Sequence, residues 1–344
     1  MARMYTRREL GRLALPAALA AASSAKSAKS ATPAKISSKI HGVRIGVATY
    51  SYNNLPRQGL LDVIIHSMTD CGIGDCLLNP PATEPPELSE KVRPARGGGG
   101  RSASGGVGRG ASGGLGRGGG RAPLSPEQAA AAESLHQWHL TVSLDYYAAI
   151  RKRFSDAGLE IHTYEPSMGP VVSDEDLNRA CEVTKTLGAP VMAEPLTRSA
   201  AKRMAPIAEK HGIKVALQGR PNMNSADPDA MAKPGDFEEA MGYSKNFGTS
   251  IDVGDATGGG WDALKFIQDN HSRVMSLNLK DKTKAGVSMP WGQGDSRVKE
   301  ILQLVRDKKY PIRCYIDCDY ATPEGGNRLD DVKRCFEFAK AALA

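Results

Sequence analysis

VMSLNLKDKTKAGVSMPWGQGD, residues 274–295, sets the frame for the whole chain. Residues 274–279 read as a short apolar strand that runs straight into a charged corner, Lys280-Asp281. A loop closing on Pro290-Trp291-Gly292-Gln293-Gly294-Asp295 then hands over to a helical pattern at 298–307. In α/β proteins, polar residues at the C-terminal ends of strands, together with the loops that follow, form the sites. Further strand-type runs lie at 44–50, 75–79, 159–165, 190–194, 213–217, 250–255 and 314–320. Helical patterns separate them at 60–70, 128–135, 144–157, 173–187, 199–211, 237–247 and 261–270, and a last one closes the chain at 330–343. Ser173 with Asp176 has the spacing of a capping box, and Gly158, Gly188 and Gly212 stand where helices stop. Eight strand–helix units with short connections predict one closed (β/α)₈ TIM barrel over 41–344. A doubly wound open sheet is the alternative. The dinucleotide-binding glycine fingerprint is missing after the first strand, which weakens that alternative's usual function.

The net charge of +7 misleads about partners. Residues 1–40 carry +7 and residues 91–121 another +7, so the remainder is acidic at −7. A nucleic-acid partner is therefore not expected. Residues 96–121 are a Gly/Arg/Ser tract with almost nothing to bury, which predicts a disordered insertion in the barrel. It lacks the interleaved aromatics that RNA-binding tracts use. Near the N-terminus, Arg7-Arg8 precedes a weakly apolar run at 13–22. That pattern predicts a twin-arginine-type signal peptide over 1–25, a flexible tether over 26–40, and a periplasmic or secreted protein. The apolar run is too short to span a bilayer. Six cysteines lack metal-type spacing and read mostly as buried small side chains. Cys314 and Cys318 are about 13 Å apart on a strand and cannot bridge, while Cys71 and Cys76 are a candidate loop closure in an oxidising compartment.

Four runs carry a likeness: Ile251-Asp252-Val253-Gly254-Asp255, Leu277-Asn278-Leu279-Lys280-Asp281, Pro290-Trp291-Gly292-Gln293-Gly294-Asp295 and Ile316-Asp317-Cys318-Asp319-Tyr320. Together they resemble the sugar phosphate isomerase/epimerase family, the xylose isomerase-like barrels. The resemblance implies a divalent ion at the strand ends, with ligands at Gln218, Asp252, Asn278 and Asp317. Only Asp252 keeps the family's residue type. Asp255 and Asn278 stand where the family has histidines, and Asp317 replaces a glutamate. With no imidazole, the set becomes all-oxygen, suited to Mg²⁺ or Ca²⁺ more than to Mn²⁺. Asp319, two residues on from Asp317, points the same way and adds a carboxylate.

Other candidates surround these positions. Asp252 and Asp317 end apolar strands, where an acid is costly unless metal-bound or paired, for instance with Lys280 or Arg273. Glu194, before Pro195, is placed as a general base or as a cap for the next helix. Asp255 is a second candidate base. Lys280 either polarises a substrate oxygen or pairs with Asp281 or Asp252. His162 and Glu165 on the third strand are candidate substrate contacts, with a satisfied core histidine as the bland alternative for His162. Trp291 stacks on a sugar ring or plugs the barrel mouth, Gln293 borders the same loop, and Asp295 has the place of a helix N-cap. The expected activity is isomerisation, epimerisation or elimination of a small-molecule sugar by proton abstraction next to a carbonyl. The alternative is a catalytically inactive carbohydrate-binding barrel or partner subunit that has lost the ion. An endonuclease-type member would need a basic surface, which an acidic barrel does not offer.

Overall fold

A computed structural model describes residues 34–92, 125–168, 172–219 and 227–344. Eight parallel strands close on themselves: β1 (Val43–Ala48), β2 (Asp75–Leu78), β3 (Glu160–Tyr164), β4 (Val191–Glu194), β5 (Lys214–Leu217), β6 (Phe247–Asp252), β7 (Val274–Leu279) and β8 (Arg313–Ile316). Each strand pairs with its sequence neighbours, and β1 pairs with both β2 and β8, which completes the ring. The expected (β/α)₈ TIM barrel is therefore the fold. Every strand is followed by at least one helix: α1 (Leu60–Cys71), α2 (Pro86–Val92), α3 (Pro126–Thr141), α4 (Leu144–Asp156), α5 (Asp174–Thr186), α6 (Arg198–His211), α7 (Pro234–Met241), α8 (Val253–Gly258), α9 (Ala263–Asn270), α10 (Val298–Asp307) and α11 (Arg328–Leu343).

Local chemistry sets the helix ends. The Ser173 hydroxyl accepts from the Asp176 amide while the Asp176 carboxylate accepts from the Ser173 amide, so the predicted capping box forms. Ser125 and Gln128 build a second one that starts α3. Gly212 ends α6 in the left-handed conformation, φ +65°, which a glycine adopts without a Cβ penalty.

Two layers of core follow. The large one lies between strands and helices, where Ile45, Leu78, Phe154, Phe247 and Leu302 are buried. The small one fills the barrel interior with Ala48, Leu77, Val191, Ala193, Ala216 and Tyr315. The alanines leave room for the Tyr315 ring, whose hydroxyl meets Thr163 Oγ1 at 2.9 Å and His162 Nδ1 at 3.0 Å.

Several boundaries differ from the sequence expectation, among them the eighth strand, which ends at Ile316 rather than 320, and the helix expected at 128–135, which runs over Pro126–Thr141. Residues 34–40, expected within the tether, are built into the barrel's N-terminal end. The Ile36 amide bonds the Gly158 carbonyl at 2.9 Å, and Lys39–Ile40 pairs antiparallel with β1. A Cβ on Gly74 would lie 2.1 Å from the Ile36 carbonyl oxygen, so that position must stay bare. β6 ends at Asp252 rather than 255, because the Asp252 side chain caps α8 by accepting from the Asp255 amide. The helix expected at 237–247 stops at Met241, and Phe247 opens β6. The predicted signal peptide at 1–25 and the Gly/Arg insertion at 96–121 lie outside the described residues. Among the described residues, no helix is long and apolar enough to cross a membrane.

Candidate functional site

The C-terminal ends of β6, β7 and β8 lie side by side, with Asp252 opposite Asn278 and Asn278 opposite Tyr315. That register brings Asp252, Asn278 and, two residues past Tyr315, Asp317 to one side of the mouth. Lys280 reaches into this group. Its Nζ lies 2.8 Å from Asp252 Oδ2, 3.4 Å from Asp317 Oδ2 and 3.9 Å from Asp319 Oδ2. The Tyr50 ring covers the ammonium at 5.7 Å. Lys282, two residues on, bonds Asp255 and lies 3.7 Å from Asp319. Asp252 is used twice: Oδ1 caps α8 and Oδ2 holds the lysine. Two lysines and four aspartates thus form one buried array. Asp252 and Lys280 are its more exposed side chains, at 16% and 12%, and Asp317 is 3% exposed.

The electrostatics follow from this packing. Burial opposes the Lys280 charge, but Asp252, then Asp317 and Asp319, hold its ammonium well above the ordinary lysine range. Burial likewise works against ionised Asp252, yet Lys280 and Lys282 pull it below the usual value. Burial pushes Asp317 up to about 7, a rise that Lys280 tempers and the neighbouring Asp252 reinforces. Asp255 is raised by burial and by the charge of Asp252. Burial also raises Glu165, which senses Gln218 and Lys280 nearby. Gln218 lies close enough to favour ionised Glu165, yet its Nε2 makes no hydrogen bond of sound geometry. Asn278 Oδ1 and Asp317 Oδ1 are also buried without a hydrogen-bond partner.

Of the candidates named from sequence, Asp252, Asp317 and Lys280 come into direct contact, and Asp255, Glu165, Gln218 and Asn278 join at their margin. Four others are placed elsewhere. His162 sits towards the N-terminal end, where burial and the Arg313 charge lower it to about 3, so it is a neutral ring bonded to Tyr315. Trp291 packs against the C-terminal helix: its indole N–H bonds the Leu279 carbonyl at 3.1 Å and its ring meets Phe338 edge-on at 5.8 Å. Gln293 is exposed on that loop. Glu194 is wholly buried at the end of β4, where its charge bears on Tyr164.

Asp281 holds the loop in place, accepting from the amides of Gly292, Gly294 and Ser296 at 2.7, 3.0 and 3.1 Å. A Cβ on Gly294 would fall 2.3 Å from Asp281 Oδ1, which explains the glycine. Asp295 accepts from the Lys284 amide instead of capping α10, whose N-cap is Arg297, with no side-chain cap. Arg273 is engaged with the carbonyls of Met241, Ser244 and Phe247 rather than with Asp252. The sequence reading missed Lys282 and Tyr50. The first carried a signal, since it repeats Lys280 at a spacing of two. The cysteines are all free, and Cys318 Sγ and Cys335 Sγ touch at 3.6 Å.

The divalent ion implied at Gln218, Asp252, Asn278 and Asp317 does not fit these residues. The ammonium of Lys280 already contacts the two carboxylates of that set, and an ion bound to them would face a buried positive charge a few ångströms away. Among the described residues, no group of three or more His, Cys, Asp or Glu side chains is arranged to hold a metal.

No protein-family model matches the chain, and no curated protein matches it in sequence. Solved structures match it in fold. A probable 3-DHS dehydratase, AsbF, from Bacillus anthracis superposes with a TM-score of 0.54 at 12% identity, over 86% of this chain and 98% of that one. An L-ribulose 3-epimerase gives 0.54 at 12% identity, over 88% and 94%. A xylose isomerase domain protein from Alicyclobacillus acidocaldarius gives 0.53 at 12%, over 87% and 99%. The chain has the xylose isomerase-like (β/α)₈ TIM-barrel fold.

Proposed function

We propose that this barrel is a sugar-modifying enzyme that isomerises or epimerises an unphosphorylated sugar by moving a proton next to its carbonyl. The observation that carries the proposal is the contact of a buried ammonium, Lys280, with two buried carboxylates, one of them raised to about 7. A general base works best when its pKa lies near the working pH. Asp317, ionised, takes the proton from the carbon beside the carbonyl. The electron pair moves into the carbonyl, and the resulting enediolate oxygen lies against the Lys280 ammonium, a fixed charge in a low-dielectric site. Return of the proton to the other carbon, with the hydroxyl proton of that carbon passing to the enediolate oxygen so that the carbonyl changes place, gives the isomer. Delivery of a proton to the same carbon from the opposite face, by a second acid for which Glu165 is the candidate, gives the epimer. The side-chain amides of Gln218 and Asn278, with atoms unsatisfied, supply partners for sugar hydroxyls.

An unphosphorylated substrate is favoured because acids outnumber bases here among the described residues. Asp252, Asp255, Asp317, Asp319 and Glu165 stand against Lys280 and Lys282. The fold likeness to an epimerase and a dehydratase supports the substrate class without assigning the reaction. Export through the Arg7-Arg8 segment is part of the same proposal and would place the activity outside the cytoplasm. A test is solvent-deuterium exchange by proton NMR across a panel of ketoses and aldoses and their phosphate esters. Deuterium entering beside the carbonyl of a free sugar, and not of its phosphate, is the expected result. Binding of sugars without exchange would replace the proposal with the carbohydrate-binding reading, which the full pairing of Lys280 favours.

A further inference from the structure

We infer that the Lys280 ammonium is the built-in cation of this barrel mouth and takes the place of a metal ion. Three observations meet in it. The first is position. Its Nζ sits among carboxylate oxygens of Asp252, Asp317 and Asp319, at 2.8, 3.4 and 3.9 Å, under the ring of Tyr50. These are the ends of the sixth and eighth strands, and the lysine comes from the seventh. An ammonium is a compact point charge with three donors, so one such group can answer three carboxylates.

The second observation is the space cleared for it. A Cβ on Gly254 would lie 2.8 Å from Lys280 Cβ and 3.0 Å from Lys282 Cγ. The first turn of α8 is therefore bare where the two lysine stems pass. The third is the donor set around it. Asn278, facing Asp252 across the register, offers an amide whose buried Oδ1 has no partner, and Asp317 Oδ1 is likewise unpartnered. Oxygen atoms of this kind are cation ligands, but the cation held by Asp252 and Asp317 is already covalently attached to the chain. Lys282 supplies the second positive charge, against Asp255 and Asp319.

The consequence is a site that chelators cannot empty and that needs no loading. Its positive charge also reaches the mouth by a flexible stem, and is not fixed by coordination geometry. The inference concerns the charge of the cluster and holds whether or not the site turns over a sugar. Its test is correspondingly independent of activity. Wild-type protein and Lys280→Ala are treated with EDTA, then titrated with Mn²⁺, Mg²⁺ and Ca²⁺ by calorimetry and thermal melting. The wild type is expected to show no binding heat and an unmoved melting temperature. Lys280→Ala is expected to melt lower, to bind one equivalent of ion, and to regain part of the loss when the ion is added. The double variant Lys280→Ala/Asp252→Asn, with one carboxylate neutralised, is expected to bind far more weakly than Lys280→Ala. Where Lys280→Ala is unfolded after EDTA, refolding from urea with and without Mn²⁺ decides, and recovery only with the ion supports the inference. A stoichiometric metal in the wild type overturns it, as does a Lys280→Ala protein that folds or refolds equally with and without the ion.

Discussion

Both ends of this barrel bury charge, and they handle it differently. At the N-terminal end, Arg313 bonds Asp75 and lies 3.4 Å from Glu160, which also pairs with Lys35. Two acids meet two bases there, with Arg313, Asp75 and Glu160 each the first residue of a strand, and His162 beside them stays neutral. One buried oxygen there, Asp75 Oδ1, lacks a partner, and a Cβ on Gly46 would meet it at 2.3 Å, so the backbone packs directly against it. At the C-terminal end, carboxylates outnumber lysines, and unsatisfied atoms of Gln218, Asn278 and Asp317 lie around them. Unpaired buried polar groups cost stability. Three such side chains gathered beside one charged cluster, against a single one at the other end, mark the mouth as the working end.

Substitutions can break the comparison, and the largest effect is expected at its centre. Lys280→Ala leaves buried carboxylates uncompensated and is expected to cost about 3–5 kcal/mol in urea unfolding while abolishing exchange. Arg313→Gln at the other end is expected to destabilise and leave exchange intact. Equal loss of exchange in both variants would erase the distinction between the ends. Asp281→Ala removes the acceptor for three loop amides and is expected to cost about 3 kcal/mol, with a weakened KM as the mouth loop loosens.

The pH dependence tests the mouth without touching its volume. Asp317 holds its proton up to about pH 7 in the folded chain, whereas an unfolded aspartate releases it near pH ~4. Its contribution is therefore fully present below pH ~4 and is lost as pH rises towards 7, at up to about 1.4 kcal/mol per unit. Asp252 runs the other way, since its lowered pKa adds stability above the ordinary value that is lost as pH falls below it. Melting across pH 4–8 should show Asp317→Asn relatively more stable as pH rises, and a flat difference would remove Asp317 from the account. Gly254→Ala crowds the lysine stems and is expected to cost about 1–2 kcal/mol, with a larger fractional loss of exchange than of stability. Gln293→Ala, on the exposed part of the loop, is expected to stay within about 0.5 kcal/mol of wild type by thermal melting.

The barrel was legible because strand and helix periods alternate and capping signals such as Ser173/Asp176 act locally. Strand-end residues such as Asp252, Asp317 and Lys280 were legible as a group, since a parallel barrel sends all strand ends to one face. The state of that group was not. Whether Lys280 points at solvent or fills the gap between Asp252 and Asp317 depends on the β6–β7–β8 register and on Gly254, both long-range properties. His162 was ambiguous for a related reason, because a β-type run does not say which end of a strand a ring serves until its neighbours are known. Trp291 was read as facing a sugar or the mouth, and its packing against Phe338 of the C-terminal helix is a long-range contact that the loop sequence does not carry.

The most direct measurement is solvent-deuterium exchange into a free sugar, by proton NMR, on EDTA-treated wild type, Lys280→Gln and Arg313→Gln side by side. The account predicts exchange in the metal-free wild type and in Arg313→Gln, and none in Lys280→Gln. Exchange that appears only when Mn²⁺ or Mg²⁺ is added, or that survives in Lys280→Gln, would contradict it.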